Sequence, residues 1–237
     1  MRKAGIVGAL VALVALFAAV GIAEAKVKNG NFEKGDFSGW KTKTSDKSNK
    51  WVVYTNKTRD DVTNPPMTRG GAPAYRLPKT KGKYSSVIDM DGEGHNVLYR
   101  TLKVPKKAKT LKLQAFWGNL AEAWVFSGSF KAQSSGDQYW SIDLLDPKAD
   151  PESTKNKDVL ANVFKPDPEK GGPIMTRSYR SVPRRGGSGS TTPYTSDWKK
   201  FAVNVNAFRG EKVQLRLAEV DTLLFDYVGI DNVKFAK

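Results

Sequence analysis

The stretch FAVNVNAFRGEKVQLRLAEV, residues 201–220, decides the fold class. Phe201, Val203 and Val205 alternate with polar neighbours, and Val213, Leu215 and Leu217 alternate with Lys212, Gln214 and Arg216. Period-two alternation puts every apolar side chain on one face of an extended strand. Between the two runs lies FRGEK (208–212), whose glycine marks a turn. The same rhythm recurs upstream. Leu111, Leu113, Ala115 and Trp117 alternate with Lys112, Gln114 and Phe116, and Trp140, Ile142 and Leu144 alternate with Tyr139, Ser141 and Asp143. Helical periodicity is absent downstream of residue 25. Several half-buried strands with no helix to cover them predict an all-β, two-sheet antiparallel β-sandwich, whose apolar faces pack against each other.

Two segments break the pattern. Residues 41–84 mix Lys, Thr, Asn, Pro and Gly around two short apolar pieces, Trp51-Val52-Val53-Tyr54 and Ala74-Tyr75-Arg76-Leu77. Residues 146–197 read as a long irregular insert in a single domain spanning 26–237. The insert's DVLANVF (158–164) suits a short helix or turn, and its end, RSYRSVPRRGGSGSTTPYT (177–195), is basic and rich in Gly and Ser.

Residues 1–25 read as a secretory signal peptide. Met1-Arg2-Lys3 is a basic start, Ala4–Ile22 is almost wholly apolar, and Ala23-Glu24-Ala25 has the small-x-small pattern of a cleavage site. The alternative is a retained N-terminal anchor, because the apolar run approaches the roughly 20 residues that span a bilayer. No second apolar run follows, so no membrane span is expected once the signal is removed. The expected location is secreted or extracytoplasmic, in a periplasm or at a cell surface.

The chain has no cysteine, which excludes disulfides, thiolate metal sites and a cysteine nucleophile. Its formal net charge of +15 draws anionic partners. The lysines are scattered along the chain and form no helical stripe or nucleic-acid motif, so nucleic acid is not an expected partner. One reading of them is a solvated basic surface; the other is an attraction for acidic glycans.

The ends of the chain carry a resemblance. NGNFEKGDFSGW (29–40), VPKKAKTLKLQAFW (104–117) and DWKKFAVNVNAFRGEKVQLRLAEVDTLLFDYVGIDNVKF (197–235) resemble the galactose-binding-like β-sandwich. This is the jelly roll of many bacterial carbohydrate-binding modules. DQYWSIDLLDPKADP (137–151) is similar to a segment of uncharacterised secreted bacterial proteins of that type. The resemblance implies a structural calcium held by Glu33 of the first motif and Asp231 of the last strand. Main-chain carbonyls near Asn31 and after Trp40 would complete the shell. Two carboxylates with carbonyls suit a cation that takes six to eight oxygens. Such a site would tie the first strand to the last.

Other chemistry is thinner. IDMDGEGH (88–95) gathers Asp89, Asp91, Glu93 and His95 without EF-hand spacing, and reads as an acidic turn or a second calcium loop. His95 is the sole histidine, so a zinc site or a Ser-His-Asp set would rest on it alone. Asp143, Asp146, Glu219, Asp221 and Asp226 lie near strand ends, and nothing marks two of them as a facing acid–base pair. No enzyme is expected. Sugar rings stack their C–H faces on exposed aromatics. Trp40, Trp140 and Trp198 read as core, whereas Trp51, Tyr54, Trp117 and Trp124 are the candidate ligand-binding side chains. The function expected is a secreted, non-catalytic carbohydrate-binding module whose ligands include anionic glycans. The alternative is a cell-surface or extracellular-matrix structural protein without a sugar pocket.

Overall fold

The computed structural model describes residues 25–45, 50–59, 77–90, 94–119, 125–127, 138–163, 176–177, 194–195, 197–221 and 226–237. The strands are β1 (Ala25–Lys26), β2 (Lys41–Thr44), β3 (Val52–Tyr54), β4 (Ser85–Met90), β5 (Gly94–Lys103), β6 (Thr110–Asn119) and β7 (Val125–Ser127). They continue with β8 (Gln138–Leu145), β9 (Val159–Asn162), β10 (Thr176–Arg177), β11 (Tyr194–Thr195), β12 (Lys199–Asn204), β13 (Lys212–Asp221) and β14 (Asp226–Ala236). They form two seven-stranded sheets. The first runs β11-β6-β14-β4-β3, with β12 also on β6 and β1 also on β14; the second runs β10-β7-β8-β13-β5-β2, with β9 also on β8. All pairings are antiparallel except β7 with β8. The fold is thus the expected all-β sandwich. Among the described residues, no helix is long and apolar enough to cross a membrane.

Alternation builds the core. Leu111, Leu113, Ala115 and Trp117 of β6, with Val228 and Ile230 of β14, face Leu98 of β5, Trp140, Ile142 and Leu144 of β8, and Val213, Leu215 and Leu217 of β13, in one buried cluster. Aromatic rings weld the sheets together: Trp117 lies 4.9 Å from Trp140, and Phe201 meets Trp140 edge-on at 5.8 Å. Cutting a ring of this kind to alanine costs roughly 3–5 kcal/mol in transfer and cavity terms. A second cluster of Tyr54, Leu77, Val87, Phe116 and Tyr227 covers part of the first sheet's outer face, with half-buried Trp198 on Phe116 at 4.7 Å.

The insert departs from expectation at its start. DVLANVF is not a helix. A single 3-10 turn (Asn156–Asp158) leads into β9, which pairs with β8. Val159 and Leu160 suit a pleated strand better than a helix, and Asn162 anchors the pairing by donating from Nδ2 to Asp143 Oδ1 at 2.6 Å.

The chain ends meet. Ala25 and Lys26 pair with Phe235 and Lys234, and Val233 N–H donates to Gly30 O at 2.8 Å. A side chain at Gly30 would run into that Val233 carbonyl, so close approach of the two ends requires glycine here.

Candidate ligand cleft and terminal seam

The N-terminal loop between β1 and β2 is wound by its own polar groups. Asn29 Nδ2 donates to Asp36 O at 2.9 Å, Trp40 Nε1 donates to Asn29 O at 2.9 Å, and Lys34 N–H donates to Asn29 Oδ1 at 3.3 Å. Phe32 is fully buried, stacks on Trp40 at 5.4 Å and sits in the left-handed region at φ 53°. Packing holds it there against the usual steric cost. Arg100 also lies over Trp40, 5.7 Å from the ring centroid, and donates to Lys28 O.

This loop delivers Glu33 to the segment before β4. Its carboxylate accepts from Lys83 N–H at 3.1 Å and Tyr84 N–H at 3.3 Å. Gly82 leaves the space that the carboxylate occupies. The next residue, Ser85, donates from Oγ to Asp231 Oδ2 at 2.6 Å, and Asn232 N–H donates to Asp231 Oδ1 at 2.6 Å. Glu33 and Asp231 therefore converge on residues 83–85. Burial pushes the Asp231 carboxyl up to about 7, and the Glu33 charge adds to the rise, while the bonds from Ser85 and Asn232 and the Lys81 charge oppose it. A buried carboxyl raised in part by a second carboxylate suits an oxygen-seeking cation. Asn31 is exposed, and among the described residues no hydrogen bond ties its side chain to either carboxylate. Asn29 is the buried asparagine that organises this loop. Among the described residues, no group of three or more acidic, His or Cys side chains gathers to hold a metal.

The aromatic candidates need correction. Trp51, Tyr54 and Trp117 are 6%, 0% and 5% exposed. They are wall and core, so none presents a ring face as an open platform. Tyr54 donates to Pro78 O at 2.9 Å beneath the second cluster, and burial raises its phenol. Trp124 lies outside the described residues.

What the structure offers instead is a lateral cleft of about 520 Å³, lined in part by Phe37, Trp40, Thr44, Trp51, Asn96 and Tyr99. It runs along the flank where β2 ends one sheet and β3 ends the other. Phe37 and Tyr99 are half-buried and give it apolar walls. Lys41 and Lys50 are exposed at its rim. Trp51 and Asn96, which both line the cleft, each carry a buried donor, Trp51 Nε1 and Asn96 Nδ2, without a hydrogen-bond partner among the described residues. Buried polar groups are nearly always paired, so two orphan donors behind one cleft call for acceptor oxygens. Sequence reasoning reached Trp51 but missed Asn96 and Tyr99. The signal was there: Asn96 shares the inward phase of Leu98 and Leu102 on β5.

The remaining candidates have structural partners. His95 begins β5 rather than lying in a free turn, and its Nε2 is 3.2 Å from Glu152 Oε1. Asp143 does lie off the Trp140 face, but it is fully buried. Its Oδ2 accepts from Arg216 Nη2 at 2.6 Å and Nε at 3.0 Å. Arg216 Nη1 donates onward to Ser153 O at 2.7 Å and Pro151 O at 3.0 Å.

No protein family matches the sequence, and no curated protein matches it. Solved structures of similar fold include carbohydrate-binding modules of β-sandwich type. The module TmCBM61, solved with β-1,4-galactotriose, is 13% identical over 91% of this chain and 100% of its own, with a TM-score of 0.44. The K3 cleaved adhesin domain of Lys-gingipain from Porphyromonas gingivalis is 13% identical over 91% of this chain and 100% of its own, with a TM-score of 0.46. A Stig cyclase from Fischerella is 17% identical over 90% of this chain and 96% of its own, with a TM-score of 0.42. Likenesses this distant assign no ligand or activity to the chain.

Proposed function

We propose that the chain is an extracytoplasmic, non-catalytic carbohydrate-binding module that takes its ligand in the lateral cleft, with calcium at the terminal seam. The observation that carries this reading is an aromatic-walled cleft of sugar-binding size, two of whose lining residues, Trp51 and Asn96, hold buried donors without partners among the described residues. A sugar would lay its C–H face against Phe37, and its hydroxyl would accept from either donor once that side chain turns toward the cleft. Lys41 and Lys50 at the rim would favour an acidic sugar. The basic, apolar, Ala-x-Ala N-terminus supports export.

At the seam, Glu33 and Asp231 would supply the charged oxygens, and the ion would neutralise both carboxylates. This follows from Asp231, whose carboxyl is raised by burial first and by Glu33 next. A cation that binds only the folded chain raises its melting temperature. Calcium is therefore expected to raise Tm and a chelator to lower it, with Glu33→Gln and Asp231→Asn insensitive to both.

The cleft is tested by glycan-array retention. Trp51→Phe keeps an aromatic ring and removes the N–H; Asn96→Ala removes the other donor. Each is expected to lose retention by about tenfold, the worth of one well-placed hydrogen bond to a buried donor, with an unchanged far-ultraviolet circular dichroism spectrum. Full retention by both variants would remove the cleft from consideration.

A further inference from the structure

The outer face of the first sheet carries a feature that the cleft does not use. Lys26 of β1 is in register with Lys234 of β14, and Lys234 is in register with Lys112 of β6. Three lysines thus form one row across three adjacent strands. All three lie off the core phase, since Val27, Val233, Phe235, Leu111 and Leu113 beside them are buried. Ala202 of β12 continues the row opposite Lys112, and Lys200 sits two residues along the same strand, opposite Gln114. Like charges directly opposite one another on neighbouring strands are destabilising. Among the described residues, Lys26, Lys112 and Lys200 have no ion-pair partner.

The row borders a groove of about 500 Å³ lined by Lys112, Gln114, Lys200, Ala202, Asn232 and Lys234, among others. At its floor Asn232 Nδ2 donates to Gln114 Oε1 at 2.7 Å. Asn232 is held there by a register shift between Asp231 and Lys234, where its φ is 55°. The amide pair leaves the Gln114 Nε2 amino group as donor and Asn232 Oδ1 as acceptor for a ligand. Asp231, in register with Gln114, is 1% exposed and bonded to Ser85, so it adds no open carboxylate to the groove.

We propose that this groove binds an acidic polysaccharide, with the lysine row on its carboxylate or sulfate groups and the Gln114–Asn232 pair on its hydroxyls. Strands repeat about every 4.8 Å, and successive sugar units repeat along a glycan on the same scale, so neighbouring lysines can meet neighbouring anionic units. A bare polyphosphate would use the lysines and the Gln114 donor but offer no hydroxyl to the Asn232 Oδ1 acceptor. The proposal extends the module reading to a second face and stands without the cleft, because its test uses other residues and another ligand charge.

The test is affinity electrophoresis and calorimetry of the full chain on polygalacturonate, against the same backbone fully methyl-esterified. Binding is expected to the charged polymer only, weakening as salt screens it. Lys112→Glu with Lys234→Glu should cut affinity by about tenfold or more. Lys103→Glu with Lys212→Glu is the control, as these two also face each other in register, on β5 and β13 of the second sheet. Its affinity should be nearly unchanged. Lys112→Gln with Lys234→Gln guards against misfolding, since it puts no new charge into the row and should bind weakly with Tm near that of the parent. Equal losses in the control would reduce the effect to net charge and overturn the proposal. So would equal binding of the esterified polymer, or duplex DNA competing as well as polygalacturonate at matched charge.

Discussion

The outer faces of the two sheets start from the same kind of sequence and end differently. On each, polar side chains alternate with the core residues of long strands. In the second sheet, residues 146–158 cross the face between β8 and β9, and everything beneath is buried. Arg216 and Asp143 are fully enclosed, Asn162 and Ser141 complete the carboxylate's bonds, and Gln214 Nε2 donates to Ala149 O at 3.1 Å. In the first sheet, no described segment crosses the end near β1, and Lys26, Lys112 and Lys200 are exposed. Whether an off-core polar residue becomes a buried structural ion or a solvated contact depends on a segment distant in sequence. The crossing segment is itself pinned at the sheet edge, where Lys43 Nζ reaches Asp150 Oδ1 at 2.8 Å and Glu152 Oε2 at 3.1 Å.

The comparison can be broken hardest at the covered face. Asp143→Ala leaves the Arg216 guanidinium buried without its counter-ion, and one-sided removal of a buried pair costs about 3–5 kcal/mol. Urea denaturation should show that loss. The double replacement Asp143→Leu with Arg216→Met should recover much of it, because no charge is then buried. If Asp143→Ala left the denaturation midpoint unmoved, the face would not be sealed as described.

A gentler probe acts on Asp231, at the border of the open face. Unfolded, its carboxyl ionises near pH 3.9; folded, near 7. Between those values the folded chain holds a proton that the unfolded chain has released. The stabilising contribution is therefore complete below about pH 4 and is lost as pH rises through about 7. In chelator, Tm measured from pH 4 to 8 should fall across this window, and Asp231→Asn should flatten the fall.

The smallest effect belongs to the edge contact. Lys43→Ala removes two ion pairs to partly exposed carboxylates, each worth roughly 0–1 kcal/mol after screening. Thermal melts should shift by a few degrees at most, less in high salt, while proteolysis within 146–158 speeds up. A large shift would mean the crossing segment hangs on this contact alone.

Much of the architecture was legible along the chain. Strands β6, β8, β12 and β13 announced themselves by period two, and Trp40 and Trp140 fell in core phase as read. The meeting of the two ends followed from the terminal motifs, and the paired β1 and β14 bear it out. The candidate site was legible only in part. Trp51 and Tyr54 read as a surface platform because their neighbours in sequence are polar, yet Trp51 is buried in the main core and Tyr54 in the second cluster on the first sheet's outer face. DVLANVF reads as a helix or turn because its local composition is ambiguous, and pairing with β8 draws Val159–Asn162 into a sheet.

Alone, the amino-acid order determined that strands form, which face of each is apolar, and that the surface is basic. These are properties of neighbouring residues, set by pleat and turn chemistry. Register decided the rest: that Lys26, Lys234 and Lys112 share a row, that Asn96 and Trp51 bring orphan donors to one cleft, and that Asp143 meets Arg216. Those pairings join residues 45 to more than 200 positions apart, and only the packing of two whole sheets against each other selects them over the other alignments each strand would allow.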